Sequence, residues 1–121
     1  MFRALALVVH LNLCAFSKNK KLILVDDIGE GLDYERATAI IHLLISKAEE
    51  NNIQLIMTSN DRFVMNEVPL KYWSILKRTG GVVKMYNMAN SQQQFDKFKF
   101  LGLNNFDFFA SNFFEPETTN A

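Results

Sequence analysis

The sequence predicts an α/β fold, with a mainly parallel sheet, helices and an added antiparallel hairpin toward the C-terminus. Two short runs, Leu22–Val25 and residues 53–57, are apolar at nearly every position, and a long amphipathic stretch separates them. Gly80-Gly81 lies between two further runs that are rich in strand-forming residues. This order is typical of a strand–helix–strand crossover followed by a hairpin.

Length and composition predict one globular unit. A chain of 121 residues can build one domain with one hydrophobic core. Its 13 Lys and Arg balance its 13 Asp and Glu, so charge gives no indication of a nucleic-acid partner. We expect a single domain over residues 1–114 and a frayed tail over residues 115–121.

Residues 2–16 are predicted to form a helix, because one largely apolar face recurs at helical spacing. That face consists of Phe2, Leu5, Val8, Val9, Asn12, Ala15 and Phe16. A secretory signal is the alternative, but His10 and Asn12 interrupt the apolar stretch that such a signal needs. The stretch is also too short and too polar for a membrane span. A cytoplasmic protein without membrane contact is therefore expected, and Cys14, the one cysteine, is expected to be buried.

The segment after this helix predicts a parallel crossover. The continuous apolar run Leu22–Val25 indicates a strand buried on both faces, and a polar turn precedes it. Asp33 is expected to cap a helix over Tyr34–Asn51, whose apolar residues follow the helical period. Residues 53–57 form the second strand, and a right-handed connection is expected. A short helix is predicted over residues 61–66.

The C-terminal third predicts a hairpin, a helix and an aromatic tail. The hairpin covers residues 72–86, and Ser91 is expected to cap the helix that follows. Eleven phenylalanines are many for this length. We expect most of the C-terminal ones to pack into a core or a docking surface rather than a ligand site: Phe95, Phe98, Phe100, Phe106, Phe108, Phe109, Phe113 and Phe114.

Polar side chains follow both predicted parallel strands. Asp26 and Asp27 end the first, and Asn60 follows the second. Ligands of open parallel sheets bind beyond the carboxyl ends of the strands, so these side chains are expected to share a crevice. Adjacent carboxylates repel each other unless a cation or a proton lies between them, which points to Mg²⁺. The alternative is that both acids cap a loop and face water.

Two motifs in this order resemble ATP-binding-cassette-type ATPases. LILVDDIGEGLD, residues 22–33, is similar to the Walker B and D-loop stretch, and QLIMTSND, residues 54–61, to the following strand and switch turn. The helix over residues 2–16 resembles the one after the signature motif. The likeness covers about half of the chain and is closest to prokaryotic AAA-type ATPases with cassette-like heads, as in DNA-repair, chromosome-maintenance and phage-defence ATPases. It implies a partial P-loop NTPase fold.

The resemblance implies a role for each matching residue. Asp26 would hold Mg²⁺ through water, and Asp27 would occupy the place of the general base. The loop Gly31-Leu32-Asp33 would touch the partner head across a dimer. Asn60 would stand where a histidine normally senses the γ-phosphate. Two of these depart from the family pattern, since the base is usually Glu, and Asn60 cannot carry a proton at neutral pH.

The remaining motifs of such a site are absent from this sequence. No G-x-x-x-x-G-K-[ST] occurs, so no backbone loop is available to cradle phosphates. The chain thus resembles the C-terminal half of an ATPase head, without the Walker A and signature motifs. It would bind ATP and Mg²⁺ only when an N-terminal half or a second head completes the site, and we expect it alone to be poorly soluble or dimeric. The alternative is a non-enzymatic interaction module, a degenerate remnant of such an ATPase.

Overall fold

The chain forms two compact units, Met1–Glu67 and Val68–Ala121. The computed structural model describes residues 2–15 and 21–117. Its helices and strands form an α/β structure with a small parallel sheet and an antiparallel hairpin, which confirms the predicted class. A single domain over residues 1–114 stays a prediction, because compactness of each unit does not decide whether the two fold together.

The first unit contains the predicted crossover. Strand β1 (Leu22–Val25) pairs with strand β2 (Gln54–Met57) in parallel, and the pairs run from Leu22–Gln54 to Val25–Met57. Helix α2 (Tyr34–Asn51) connects the two strands, and the short helix α3 (Arg62–Glu67) follows. The bounds of β1 and α2 match the prediction, because each is delimited by polar or helix-capping residues.

Capping residues mark both ends of helix α2. The Asp33 carboxylate accepts a hydrogen bond of 2.8 Å from the backbone N–H of Arg36, which satisfies one unpaired donor of the first turn. Asn52 ends the helix in the left-handed conformation at φ 54°. The buried side of the helix follows the predicted period and consists of Ala37, Ile40, Ile41, Leu44 and Ala48.

The two-stranded sheet is buried on one face only, so the prediction of a strand buried on both faces is wrong. Val25 is 5% exposed, whereas Leu22 and Leu24 on the opposite face are 53% and 68% exposed. Ile56, the register partner of Leu24, is 45% exposed. We call Leu22, Leu24 and Ile56 the open sheet face. Parallel sheets normally have both faces covered, so this face is an unusual apolar exposure.

Helix α1 (Phe2–Ala15) packs against α2, but through a different face from the predicted one. Leu11 is 2% exposed, whereas Leu5 and Val9 of the predicted apolar face are 61% and 47% exposed. The helix is apolar on nearly every side, so its periodicity could not select the contacting face.

Several predictions fall on parts of the chain that are not described. Phe16, the polar turn before Lys21 and the side chain of Cys14 lie outside the described residues, as do residues 118–121. In the part that is described, no helix is both long and apolar enough to cross a membrane.

The second unit begins with the predicted hairpin. Strand β3 (Ser74–Thr79) pairs antiparallel with β4 (Val82–Asn87) around Gly80-Gly81. Helix α4 (Gln92–Phe98) follows Ser91, whose hydroxyl donates to the Asn90 side chain rather than capping the helix.

Helix α5 (Asn105–Ala110) lies in the segment described only as an aromatic tail in the sequence analysis. Asn104 and Asp107 form a reciprocal capping box, a helix start signal that the sequence carries.

A phenylalanine cluster is the core of the second unit. Phe95 and Phe108 are fully buried, with ring centroids 4.6 Å apart in an edge-to-face arrangement. The prediction that the phenylalanines pack in a core is confirmed for Phe95, Phe98, Phe108 and Phe114, which form this cluster together with Leu70 and Ile75. Phe100, in contrast, is 88% exposed. Glu115, at the start of the predicted frayed tail, forms an ion pair with Lys77.

Candidate functional site

The carboxyl ends of β1 and β2 meet at one edge of the sheet. The parallel pairing continues one residue beyond the strands, where the Thr58 N–H donates to the Val25 carbonyl at 2.9 Å. The Ile28 N–H then donates to the Thr58 carbonyl at 2.8 Å. Asp26 and Asp27 are therefore held between two backbone hydrogen bonds to the same residue of the neighbouring strand end.

The Thr58 hydroxyl contacts both acids of the pair. It donates to Asp26 Oδ1 at 2.6 Å and accepts from the Asp27 N–H at 2.8 Å. Asp27 has a φ of 53°, in the left-handed region that aspartate tolerates better than most residues. Thr58 was not among the site residues predicted from the sequence, although a hydroxyl residue directly after a strand that pairs beside two acids is a usable signal.

Asn60 and Asp61 lie in the turn that follows Thr58. The side chain of Asn60 is exposed. Asp61 is used in the local structure, because its Oδ1 accepts hydrogen bonds from the Phe63 and Val64 N–H groups at 2.8 and 3.1 Å and so caps α3. Thr58, the first polar residue after β2, therefore hydrogen bonds to both acids of the pair.

The loop between β1 and α2 contains the predicted partner-contacting residues. Gly31 adopts a φ of 73°, and the Leu32 N–H donates to the Gly29 carbonyl at 3.1 Å in a tight turn. The Asp33 carboxylate caps α2 and also pairs with the Arg36 guanidinium at 3.4 Å. Asp33 therefore has a structural role in its own helix, whatever else it contacts.

A cavity of about 150 Å³ lies beside this loop, between α2 and α3. Its lining is mainly apolar and includes Leu32, Tyr34, Phe63 and Val64, with Asp61 as its carboxylate. Asp26 and Asp27 are not part of the lining. The acid pair thus lies at an exposed sheet edge and not in this cavity.

Glu67, the last residue of α3, hydrogen bonds to two side chains of α2. The Tyr34 hydroxyl donates to Glu67 Oε1 at 3.0 Å, and His42 Nε2 lies 3.1 Å from Glu67 Oε2. The hydrogen bond to Glu67, together with the charge of that carboxylate, raises the pKa of Tyr34 above its ordinary value of 10.0. This contact fastens α3 to α2 next to the cavity.

Removing the charge of Glu67 is expected to lower the pKa of Tyr34. In Glu67→Gln the amide can still accept the hydrogen bond, but it no longer repels a tyrosinate. Because the folded state raises this pKa, the stabilisation is present below the ordinary value and is lost as pH rises through the raised one. Ultraviolet absorbance of tyrosinate during a pH titration measures the pKa of Tyr34. The Tyr34→Phe variant identifies which part of the titration belongs to this residue. An unchanged titration in Glu67→Gln would contradict the contact.

Comparison of the chain with protein-family models, with curated proteins and with solved structures gave no match. The resemblance of residues 22–33 and 54–61 to ATPase motifs therefore stays a prediction from the motifs. What the site can do follows from its own groups: two exposed carboxylates and a hydroxyl, all oxygen ligands of the kind that Mg²⁺ prefers.

Proposed function

We propose that this chain carries the Walker B, D-loop and switch part of an ATPase head of the ATP-binding-cassette type. One observation carries the proposal: the acid pair after β1 is joined by the Thr58 hydroxyl to the end of the adjacent parallel strand. A carboxylate held at that edge of an open parallel sheet is positioned where such folds bind their ligands.

The donor set suits a hydrated Mg²⁺. No group of three His, Cys, Asp or Glu side chains converges within residues 2–15 and 21–117, so these residues form no complete cage of protein ligands. Mg²⁺ commonly keeps several waters and uses one or two carboxylates together with phosphate oxygens. Asp26 would hold the ion through water, and the ion would neutralise charge on the transferred phosphoryl group.

Asp27 and Asn60 would complete the part of the site that handles the attacking water. The Asp27 carboxylate would accept the proton of that water, and Asn60 would hydrogen bond a γ-phosphate oxygen. Aspartate is one methylene shorter than the usual glutamate, and a misplacement of about 1 Å can lower a rate by roughly a hundredfold. Slow hydrolysis, even in a completed site, is the expected consequence.

ATP itself needs groups that this sequence lacks. This sequence has no phosphate-binding loop, so it lacks the backbone N–H groups that cradle the phosphates of ATP. The proposal therefore includes a partner, either an N-terminal ATPase half or a second head, and Gly31, Leu32 and Asp33 would contact that head. The open sheet face is an apolar surface that further structure of this kind could cover. A cytoplasmic location belongs to the same proposal.

The test titrates the full chain with millimolar Mn²⁺, far above the concentration that a completed site would need, so that the acid pair alone is marked. Paramagnetic broadening of backbone amide signals locates the bound ion. We expect broadening to centre on residues 26–28 and 58–60, and Asp26→Asn to remove it. Glu30→Gln is the matched control, since it deletes one charge from the same loop. Radiolabelled ATP with Mg²⁺ should bind no tighter than millimolar. Broadening elsewhere, or micromolar ATP binding by this chain, would refute the proposal.

The second candidate is a non-enzymatic interaction module. The observation that favours it is the open sheet face, because exposed apolar surface often marks a protein-binding site. An interaction module would bind its partner equally well with Asp26→Asn, whereas an ATPase head would lose its metal-dependent behaviour in that variant. The two functions are therefore separable by one substitution.

A further inference from the structure

Thr58 is bonded to four consecutive residues around the acid pair. Its backbone contacts Val25 and Ile28, and its hydroxyl contacts the backbone of Asp27 and the side chain of Asp26. A hydroxyl has one proton, and the Asp27 N–H can only donate. The hydroxyl must therefore accept from Asp27 and give its own proton to the Asp26 carboxylate.

We propose that Thr58 is a positioning residue for the acid pair, an inference that rests on the function proposed above. The hydroxyl holds the Asp26 carboxylate in one orientation toward the metal site. Its acceptance of the Asp27 N–H also supports the left-handed backbone of Asp27, which sets the direction of the second carboxylate. The end of β2 thus fixes the geometry of both acids at the end of β1.

This arrangement links the metal site to the switch turn. Thr58 is two residues before Asn60, the residue assigned to the γ-phosphate, so movement of that turn would pull on the hydroxyl that holds Asp26. Hydrogen-bonding partners that orient a metal ligand commonly affect metal affinity by about 10-fold to 100-fold when they are removed. Asp26 is exposed, so water can replace the hydroxyl in hydrogen bonding but not in fixing the orientation.

The test compares wild type, Thr58→Ser and Thr58→Val. Serine keeps the hydroxyl, and valine keeps the branched shape without it. We expect Thr58→Ser to bind Mn²⁺ within about twofold of wild type and Thr58→Val to bind about 10-fold more weakly. Ser59→Ala is the neighbouring control and should not change the affinity. Should Thr58→Val fail to fold, Thr58→Ala removes the hydroxyl with a smaller side chain.

A second readout needs no metal. The three-bond coupling between the amide and α protons of Asp27 reports its backbone dihedral, and we expect it to change in Thr58→Val and not in Thr58→Ser. One outcome is that wild type shows no Mn²⁺ broadening at residues 26–28 while the Asp27 coupling still changes in Thr58→Val. That result would refute the proposed metal function and support the role of the Thr58 hydrogen bonds in holding the backbone of Asp27. Equal Mn²⁺ affinity in all variants would overturn the positioning role while leaving the proposed function intact.

Discussion

Phe108→Ala is expected to destabilise the second unit by about 3–5 kcal/mol, the usual cost of removing a buried aromatic ring. Phe108 is fully buried, and its ring makes edge-to-face contacts with Phe95 and Phe98 at centroid distances of 4.6 and 5.0 Å. Its removal leaves a cavity at the centre of the phenylalanine cluster and ends both ring contacts. A loss of this size approaches the whole stability of a small unit.

Urea denaturation followed by the fluorescence of Trp73 measures this effect. Trp73 is the only tryptophan and packs against the phenylalanine cluster, so its signal reports on the second unit. Phe100→Ala is the matched control, because Phe100 is 88% exposed. We expect that control to change the free energy of unfolding by no more than about 0.5 kcal/mol. Equal effects of the two substitutions would contradict the core assigned to this unit.

Gly29→Ala is expected to destabilise the first unit by about 2–4 kcal/mol, from backbone strain and a steric clash together. Gly29 has a φ of 99°, which side chains of L-residues rarely permit, and an added Cβ would lie 2.9 Å from Val64 Cγ2. The loop next to the acid pair would have to move away from α3. Hydrogen exchange of the α2 amides measures the loss of stability.

Gly31→Ala separates the two causes. Gly31 also has a positive φ, 73°, but no atom lies within 4 Å of the position of its added Cβ. We expect it to cost about 1 kcal/mol from strain alone. Adding Val64→Ala to Gly29→Ala should relieve the clash, because the shortened side chain leaves room for the new Cβ. The double variant should therefore lose less stability than the sum of the two single variants. If Gly29→Ala were no worse than Gly31→Ala, the close approach of the loop to α3 would be wrong.

Local signals in the sequence were sufficient for most elements. Strand β1, helix α2 and the turn at Gly80-Gly81 follow from an apolar run, an amphipathic period with the Asp33 cap, and a glycine pair. Helix α5 has an equally local signal, the capping box of Asn104 and Asp107, but the density of phenylalanines concealed its short amphipathic pattern. The positions of the acids at a strand end also followed directly from the sequence order.

The choice of which faces are buried depended on tertiary contacts. Helix α1 is apolar nearly all round, so only packing against α2 could select Leu11 and leave Leu5 exposed. The apolar run of β1 is compatible with burial on two faces or on one. Leu22 and Leu24 are exposed because, in the folded chain, only the opposite face of the two-stranded sheet is covered.

Local sequence is enough to locate the strands, the main helix and the paired acids, because capping, periodicity and turn formation depend on residues close together in the chain. The tertiary structure alone decided that Thr58, separated from Asp26 by 32 positions, provides the hydroxyl that holds it. A hydrogen bond between distant residues depends on strand register, and register is set by the packing of whole elements rather than by any local pattern.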